Sequence, residues 1–328
     1  MSAAPDRVRR LCAALGIVHP VIQGGMTSVG TARLAAAVSA AGGLGLVSAG
    51  RMTPAGFGAE IDAALALTDR PVGVNVPVVR DKAYMQGLLD AALQRRVSVV
   101  VLGGGNPVPW AGQVRAAGKT LAVVTANAAQ AMKAEALGAA TVIVAGVEAG
   151  GKAGVDEIGG MVLVPDVAEA VSIPVVATGG IVDGRGAAAA ICLGAAGVQL
   201  GTRFMLTDES PLHPRTRQAM LDAGPAGTLL IARRHGLGRR MLDTPAARRV
   251  LEREGVAPLD EMVSMLSGAH SVRGLLEGDL AEGMVSCGQG VGRIRSVEPA
   301  GEIVRRIAAE MRAVLGESAA ALDAATAA

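Results

Sequence analysis

Eight short apolar runs, each followed by a helical pattern or a turn, constrain the fold of this chain more than any other feature. A continuous run of Val, Leu and Ile is typical of a parallel strand that is buried on both faces. The runs recur about every 25 residues, as strands do in a (β/α)8 barrel. The sequence therefore predicts an α/β fold, a (β/α)8 TIM barrel. The first five runs are 20–23, 44–49, 71–76, 97–102 and 121–125, and the last three lie within 141–204.

A doubly wound open sheet is the competing architecture. It needs a point at which the strand order reverses, and it seldom has eight such regular units. Its dinucleotide-binding forms also carry a G-x-G-x-x-G motif in the first βα unit, and no such motif opens this chain. The barrel is therefore the prediction.

Glycines at the ends of the last two runs indicate a ligand. Gly179 and Gly180 end the seventh run, and Gly201 and Thr202 end the eighth. Glycine lets the backbone approach a ligand closely, and the loops after strands seven and eight form a phosphate site in many barrels. Asp183 is placed to cap the next helix, which would leave free N–H groups for an anion. We expect a phosphorylated ligand here; the alternative is that the glycines serve only the barrel architecture.

The regular alternation stops after Phe204. A long segment with short helical patterns and a basic run separates the eighth strand from the last amphipathic helix. An insertion at this point leaves from the active face of a barrel. We therefore expect the eight strands in 1–206, an inserted helical lid or capping subdomain in 207–294, the closing barrel helix in 295–316 and a frayed tail in 317–328.

The composition excludes several classes of partner. Lys and Arg total 31 and Asp and Glu total 29, so no basic field favours nucleic acid or an anionic membrane. Two Phe, one Tyr and one Trp are too few for the stacking platforms of single-strand binders. The three scattered cysteines lack metal-site spacing, and no apolar run reaches the ~18 residues of a membrane helix. We expect a soluble, cytoplasmic protein with a small-molecule substrate and no bound metal.

Lys152 is the candidate catalytic residue. It follows the sixth run, on the face of a barrel where catalytic groups lie. A lysine there can stabilise an anionic intermediate or, if desolvated, form a Schiff base. The alternative is a solvated loop lysine. Glu148 and Asp156 are near in sequence and are candidates for an ion pair with it.

A basic cluster, defined by Arg233, Arg234, His235, Arg239 and Arg240, lies in the inserted segment. Such a cluster is usually a solvated surface. If it overhangs the barrel mouth, it suits the phosphates of a dinucleotide or of coenzyme A. Both interpretations stay open at the level of the sequence.

Several ordered motifs resemble those of the 2-nitropropane dioxygenase-like family. They are VIQGGM near the start, GVNV at the third strand, GVEAGG after the sixth, VVATGGIVDGRG at the seventh and GVQLGTRFMLTDES at the eighth. The resemblance continues through SCGQGVGRI at 286–294 and covers nearly the whole chain. That family contains nitronate monooxygenases, NADH:quinone reductases and flavin-type enoyl-acyl-carrier-protein reductases.

The resemblance implies that FMN binds non-covalently at the C-terminal ends of the strands. Carried over by motif, Gly25 and Met26 lie along the isoalloxazine ring and Asn75 bonds its edge. The other implied contacts to the cofactor are Gly150, Gly179, Gly180, Gln199, Leu200, Gly201 and Thr202. A phosphate anchor and backbone donors agree with a cofactor that carries the redox chemistry.

The chain departs from the family at the catalytic position. In the family, the loop after strand six usually continues with a histidine, and Lys152 stands in its place. A charged lysine is a poor base and a good electrostatic anchor or acid. The glutamine or lysine that some members contribute around strands five and six is replaced by Val124 or Ala145.

These features together predict an FMN-dependent oxidoreductase that is reduced by NADH or NADPH. Its acceptor is expected to be a quinone-like compound or an enoyl thioester. Nitronate monooxygenase is the first alternative, a Schiff-base lyase using Lys152 is a second, and a flavin-binding protein without turnover is a third. A homodimer is a further expectation.

Overall fold

The chain folds as a barrel of eight parallel strands surrounded by helices, in a computed structural model that describes residues 4–326. The sheet order is β1-β9-β8-β6-β5-β4-β3-β2, and the two-residue strand β7 (Gly151–Lys152) lies outside the barrel. The strands nearly coincide with the predicted runs, so the (β/α)8 barrel is confirmed. The barrel strands are β1 (Val21–Gln23), β2 (Gly45–Ser48), β3 (Val72–Pro77), β4 (Val99–Gly103), β5 (Thr120–Thr125), β6 (Thr141–Ala145), β8 (Val175–Thr178) and β9 (Gly197–Leu200).

Helices alternate with the strands along the chain, and the side chains of Asn127 and Asp183 cap two of them, the second as predicted. Asn127 accepts a hydrogen bond from the N–H of Gln130 (3.0 Å), and Asp183 accepts one from the N–H of Gly186 (2.9 Å). These side chains pair first-turn donors that have no partner within the helix. The helices are α1 (Ala4–Leu15), α2 (Ala32–Ala40), α3 (Pro54–Leu67), α4 (Lys82–Leu93), α5 (Val108–Ala116), α6 (Ala128–Ala136), α7 (Gly160–Ala170), α8 (Gly184–Cys192) and α9 (Thr202–Met205).

A buried glutamine helps to close the barrel between its first and last sheet positions. Ile22 and Leu44 form an isolated parallel bridge between the two edge strands. The side chain of Gln23 is fully buried; its Oε1 accepts from the N–H of Leu46 (2.8 Å), and its Nε2 donates to the carbonyl oxygen of Gly24. A buried amide without partners is costly, and these two bonds satisfy the amide of Gln23. They also add to the few main-chain hydrogen bonds that join the two edge strands.

The N-terminal end of the barrel is filled, which leaves the C-terminal end as the open face. Val101, Ile143 and Val176 belong to one buried cluster in the interior, together with Leu11 and Leu15 of α1. Inward and outward side chains alternate along each strand, so the strands also pack outward against the helices.

The inserted segment, 207–294, contains strands as well as helices. The strands β10 (Thr228–Ile231) and β11 (Arg239–Leu242) form an antiparallel hairpin that the helical patterns did not predict. β11 also pairs with β7, so a three-stranded antiparallel sheet attaches the insertion to the loop after β6. Its helical elements are α10 (Pro214–Asp222), a 3₁₀ turn (Arg233–His235), α11 (Pro245–Arg253), α12 (Leu259–Met265), α13 (Gly268–Val272), a π-helical turn (Arg273–Glu277) and a second 3₁₀ turn (Gln289–Arg293).

The closing helix is longer than predicted. α14 spans Ala300–Thr326 and continues through most of the segment predicted as a frayed tail, of which residues 327 and 328 lie outside the described part. Its first half buries Ile303, Val304 and Ile307. The second half is exposed, but its alanine-rich sequence consists mainly of good helix formers. Neither α14 nor any other helix between residues 4 and 326 combines the length and apolar character needed to cross a membrane.

Candidate functional site

The open end of the barrel exposes glycines above strands that are otherwise buried. Gly25, Gly104, Gly150 and Gly180 follow β1, β4, β6 and β8 and are exposed, whereas those strands are buried along nearly their whole length. A glycine leaves the backbone open to a group that lies on it. The mouth is therefore a surface on which a ligand can contact the main chain.

Unpaired backbone donors lie at the ends of β8 and β9, where the sequence predicts a phosphate. The two strands are neighbours in the sheet, so their loops are adjacent. Within residues 4–326, the N–H groups of Gly180, Gly201 and Thr202 donate to no other group of the chain. Gly179 and Gly180 have φ angles of 112° and 71°, which favour glycine. Several unpaired N–H groups in adjacent loops form a site for an anion.

Two N–H groups in the first turn of α8 are not available to this anion site. Asp183 takes the N–H of Gly186, and Oε2 of Glu310 accepts the N–H of Gly184 (3.0 Å). Asp183 also pairs with Arg293 (2.8 Å). A donor that already has a carboxylate partner is not available to a phosphate, so the expectation of free N–H groups after Asp183 is wrong at Gly184. The N–H of Gly186 is bound by the predicted cap, Asp183.

Two side-chain amides lie at the mouth, where a ligand can reach them. Asn75 pairs in register with Val101, and Gln199 with Ile22, which are both interior residues, so the two amides lie on the inner face of the barrel. Gln199 is only 8% exposed, yet neither amide has a hydrogen-bond partner in the part of the chain that the structure describes. Their polar atoms are not among the side-chain atoms that are cut off from solvent, so both amides are accessible at the mouth. A bound group can therefore form hydrogen bonds with both amides.

The loop after β1 lies directly against Asn75. A Cβ at Gly25 would overlap the side chain of Asn75, and a Cβ at Gly201 would lie 3.8 Å from Sδ of Met26. The structure thus brings these four predicted residues together. Leu200 contributes only its main chain to the mouth, because its side chain is buried in the shell outside the barrel.

Lys152 reaches from the loop after β6 to the loop after β4. Its side chain is exposed, and Nζ donates a hydrogen bond to the carbonyl oxygen of Gly104 (2.7 Å). A lysine ammonium has three donors. Two of them therefore remain for a ligand at the mouth.

The two carboxylates expected to pair with Lys152 have other partners. Glu148 accepts from the N–H of Gly160 at 2.9 and 3.1 Å, at the start of α7. Asp156 accepts from Nδ2 of Asn127 (3.1 Å). A helix N-terminus offers unpaired donors and a favourable dipole to a carboxylate, so Glu148 is held there and not by the lysine.

A segment that the sequence did not assign to the site, 286–290, lines the loop after β6. A Cβ at Gly150 would lie 2.6 Å from the carbonyl carbon of Cys287. The N–H of Gly288 donates to Oγ1 of Thr202 (2.8 Å), which joins this segment to the end of β9. The glycines in SCGQG were the available signal, because close backbone contact requires glycine.

The residues of the basic cluster have different surroundings in the structure. Arg233 makes a bidentate ion pair with Glu157 on the loop after β6, with both contacts at 2.6 Å. Arg240 is buried, and this burial lowers the pKa of its guanidinium. Its Nε donates to the carbonyl oxygen of Val147 (2.8 Å). These two arginines attach the insertion to the loop that carries Lys152.

A family model described as nitronate monooxygenase matches residues 9–87 and 82–310. The chain belongs to the nitronate monooxygenase family. The matched residues include every strand of the barrel and all of the insertion, so the family match covers the whole mouth. It also agrees with the resemblance carried by the strand-end motifs.

Members and neighbours of the nitronate monooxygenase family carry several enzyme names. A nitronate monooxygenase of Pseudomonas aeruginosa is 32% identical over 358 residues, which cover 94% of this chain and 99% of the relative. A (3aS,4S,5R,7aS)-5-hydroxy-7a-methyl-1-oxo-octahydro-1H-indene-4-carboxyl-CoA dehydrogenase of Mycobacterium tuberculosis is 37% identical over 239 residues, or 72% of this chain. This chain spans 66% of that dehydrogenase, just under two thirds of its length.

Among solved structures, FabK from Thermotoga maritima superposes with a TM-score of 0.91 and 37% identity, over 95% of this chain and 98% of FabK. The monooxygenase and FabK resemble this chain over nearly its whole length, and the dehydrogenase resembles 72% of it. This member of the nitronate monooxygenase family is therefore an enzyme, an oxidoreductase.

Proposed function

We propose that this family member is an FMN-dependent oxidoreductase that takes electrons from NADH or NADPH and reduces an enoyl thioester. Lys152 stabilises the negative charge that develops on the thioester oxygen. The observation that carries the proposal is the ammonium of Lys152, held at the mouth by Gly104 with two donors free. A quinone-like compound is the other acceptor that the family resemblance implies.

The residues at the mouth fit FMN. The unpaired N–H groups of Gly180, Gly201 and Thr202 suit its phosphate. The unpartnered amides of Asn75 and Gln199 suit its polar ring edge and ribityl hydroxyls. When bound, FMN supplies a two-electron donor and acceptor, so hydride transfer needs no redox group of the chain. The other residues assigned to this site are Gly25, Met26, Gly150, Gly179 and Leu200.

Lys152 favours reduction over proton abstraction. A charged ammonium donates hydrogen bonds and accepts none, so it cannot remove a proton from a substrate. Reduction of an enoyl thioester adds hydride to the β-carbon, and negative charge then collects on the carbonyl oxygen until the α-carbon is protonated. A fixed cation beside that oxygen lowers the activation barrier by stabilising this charge.

The relatives support a thioester as the acceptor. The dehydrogenase of M. tuberculosis is named for a carboxyl-CoA substrate. The family resemblance also includes enoyl-acyl-carrier-protein reductases. Both substrates present a thioester carbonyl, which is the group that Lys152 suits.

Anaerobic spectroscopy of the purified protein tests the proposal. After loading with FMN, we expect NADH or NADPH to bleach the flavin absorbance and a 2-enoyl-CoA to restore it. The variant Lys152→Met should slow reoxidation by the thioester roughly a hundredfold or more. Lys133→Met removes an exposed lysine on α6 and is the matched control. Absence of flavin absorbance after loading, or reoxidation of Lys152→Met at the normal rate, would contradict the proposal.

Nitronate monooxygenase activity is the second candidate, favoured by the family model. A nitronate is already an anion, so Lys152 suits it as an electrostatic anchor without acting as a base. Flavin bleached by a nitronate and not by either nicotinamide would select this activity. A Schiff-base lyase lacks such support, because Lys152 is exposed and not desolvated.

A further inference from the structure

Lys152 and Arg239 face each other directly across the small antiparallel sheet. They are register partners between β7 and β11, so their side chains leave the same face of that sheet. The next residue, Arg240, points to the opposite face and is buried against Val147. Like charges on directly opposed positions destabilise a sheet. An anion between the two side chains would remove that repulsion.

The guanidinium of Arg239 has no hydrogen-bond or ion-pair partner in the part of the chain that the structure describes. Its side chain is partly buried, and this burial lowers the pKa of its guanidinium with no carboxylate to oppose the effect. The other arginines of the basic cluster differ. Arg233 is paired with Glu157 and Arg240 is hydrogen-bonded, while Arg234 is exposed to solvent. A partly buried charge without a partner is costly, so the surroundings of Arg239 indicate a ligand.

The shared face of Lys152 and Arg239 lies at the barrel mouth. Lys152 contacts Gly104 after β4, whereas the unpaired N–H groups lie after β8 and β9 on another part of the rim. The N–H of Ala153 donates to the carbonyl oxygen of Gly238 (2.9 Å), which fixes β7 to the hairpin. An anion held here is therefore separate from the phosphate at the strand-end glycines.

We propose that Arg239 and Lys152 bind the diphosphate of the reducing dinucleotide, NADH or NADPH. A guanidinium forks onto phosphate oxygens and an ammonium adds a second positive charge, so the pair matches two linked phosphates. The proposal rests on the proposed function for the identity of this ligand. Coenzyme A also carries a diphosphate, but its pantetheine arm separates that group from the thioester. Lys152 therefore cannot contact both ends of one acyl-CoA.

The pair then serves the two half-reactions in turn. While the dinucleotide is bound, Lys152 and Arg239 hold its diphosphate. After the oxidised dinucleotide leaves, Lys152 is free to face the thioester oxygen. Arg239 thus belongs to the reductive half-reaction alone, which separates its effect from that of Lys152.

Stopped-flow reduction of the FMN-loaded protein tests this assignment. In Arg239→Gln we expect the Kd for NADH or NADPH to rise about ten- to a hundredfold, because one charge-assisted bond to phosphate is lost. The limiting rate of reduction should stay the same. Arg234→Gln, an equal change of charge on the same hairpin, is the matched control and should leave Kd unchanged. 1-Benzyl-1,4-dihydronicotinamide is a hydride donor without phosphate, and it should reduce wild type and Arg239→Gln equally.

Calorimetric titration with inorganic pyrophosphate tests the anion site independently of turnover. We expect wild type and Arg234→Gln to bind pyrophosphate and Arg239→Gln to bind it at least tenfold more weakly. Arg239→Lys keeps the positive charge but cannot form two parallel bonds to phosphate, so its affinity for pyrophosphate should be intermediate. This variant replaces Arg239→Gln in the test if Arg239→Gln does not fold. If NADH and NADPH both fail to reduce the wild type, the proposed function is wrong. The pyrophosphate titration still tests whether Arg239 and Lys152 bind an anion.

Three results would overturn the assignment. The first is an unchanged dinucleotide Kd in Arg239→Gln. The second is an equal loss of rate with the phosphate-free donor, which would make Arg239 purely structural. The third is a rise in the KM for acyl-CoA without any change in the Kd for the dinucleotide. This result would mean that Arg239 binds the diphosphate of coenzyme A.

Discussion

Nε of Arg240 donates a hydrogen bond of 2.8 Å to the carbonyl oxygen of Val147. The same guanidinium donates to Oγ1 of Thr228 (3.1 Å), and the residue is 6% exposed. One buried side chain therefore joins the hairpin of the insertion to the loop that carries Lys152. The place of Lys152 above the mouth depends on the insertion as well as on the barrel.

Replacing Arg240 should weaken both the fold and the reaction. In Arg240→Met we expect the free energy of unfolding to fall by about 2 kcal/mol, because a buried and a half-buried acceptor lose their donor. Turnover should fall with it, whereas FMN should remain bound, since its proposed phosphate donors lie elsewhere. Urea unfolding and flavin absorbance measure these effects. Arg248→Met breaks an exposed ion pair with Asp243 and should cost much less; equal losses in both variants would count against this role of Arg240.

A methyl group at Gly150 should displace the loop after β6. An added Cβ would lie 2.6 Å from the carbonyl carbon of Cys287 and 2.7 Å from the nitrogen of Gly288, and both are backbone atoms. We expect Gly150→Ala to lower the free energy of unfolding by about 2 kcal/mol and to weaken FMN binding. Gly112→Ala, at an exposed position in α5 with open space around it, should instead stabilise the protein slightly. A Gly150→Ala protein as stable as wild type would contradict this prediction and would mean that the segment 286–290 can move away from the added methyl group.

The barrel is predictable from the sequence because its determinants are local. Each strand is a continuous apolar run, and Asn127 and Asp183 mark helix starts by their own side chains. Glycines at strand ends likewise mark the mouth, so the sequence alone is enough to place Gly25, Gly180 and their neighbours there. The signals lie within a few residues of the elements that they specify.

The hairpin and its contacts are not predictable in the same way. The strands β10 and β11 are short, and the basic cluster between and within them resembles a solvated loop. β11 also pairs with β7, a two-residue strand that is distant in the sequence and has no periodicity of its own. The contacts of Lys152 with Gly104, and of Gly150 with Cys287, are also long-range. Only the folded chain brings these residues together.

The carboxylate of Glu148 should stabilise the start of α7. It accepts twice from the N–H of Gly160, and the N-cap residue Gly159 has no side chain to do so. We expect Glu148→Ala to reduce the free energy of unfolding by about 1 kcal/mol in urea titrations. Glu169→Ala removes a carboxylate near the other end of the same helix, where it opposes the dipole, and should not destabilise. If both variants lose stability equally, the capping role is wrong.

The buried thiol of Cys287 should make the protein less stable in alkali. Burial raises the pKa of this thiol from 9.0 to about 12. Since the folded pKa is raised, the unfolded chain loses its proton first, and the stability contributed by the neutral thiol is complete below pH 9. Between pH 9 and about 12, that contribution should fall by about 1.4 kcal/mol for each pH unit.

Urea unfolding of wild type and Cys287→Ala at pH 8 and pH 10.5 isolates this thiol, because every other titrating group is common to both proteins. We expect Cys287→Ala to be less stable than wild type at pH 8, since a packed side chain is shortened. The difference should shrink at pH 10.5, where only the wild type is weakened by this thiol. Cys192 is exposed, so Cys192→Ala should follow the wild type at both values. A difference between wild type and Cys287→Ala that is constant with pH would mean that the thiol ionises as readily in the folded protein as in the unfolded chain.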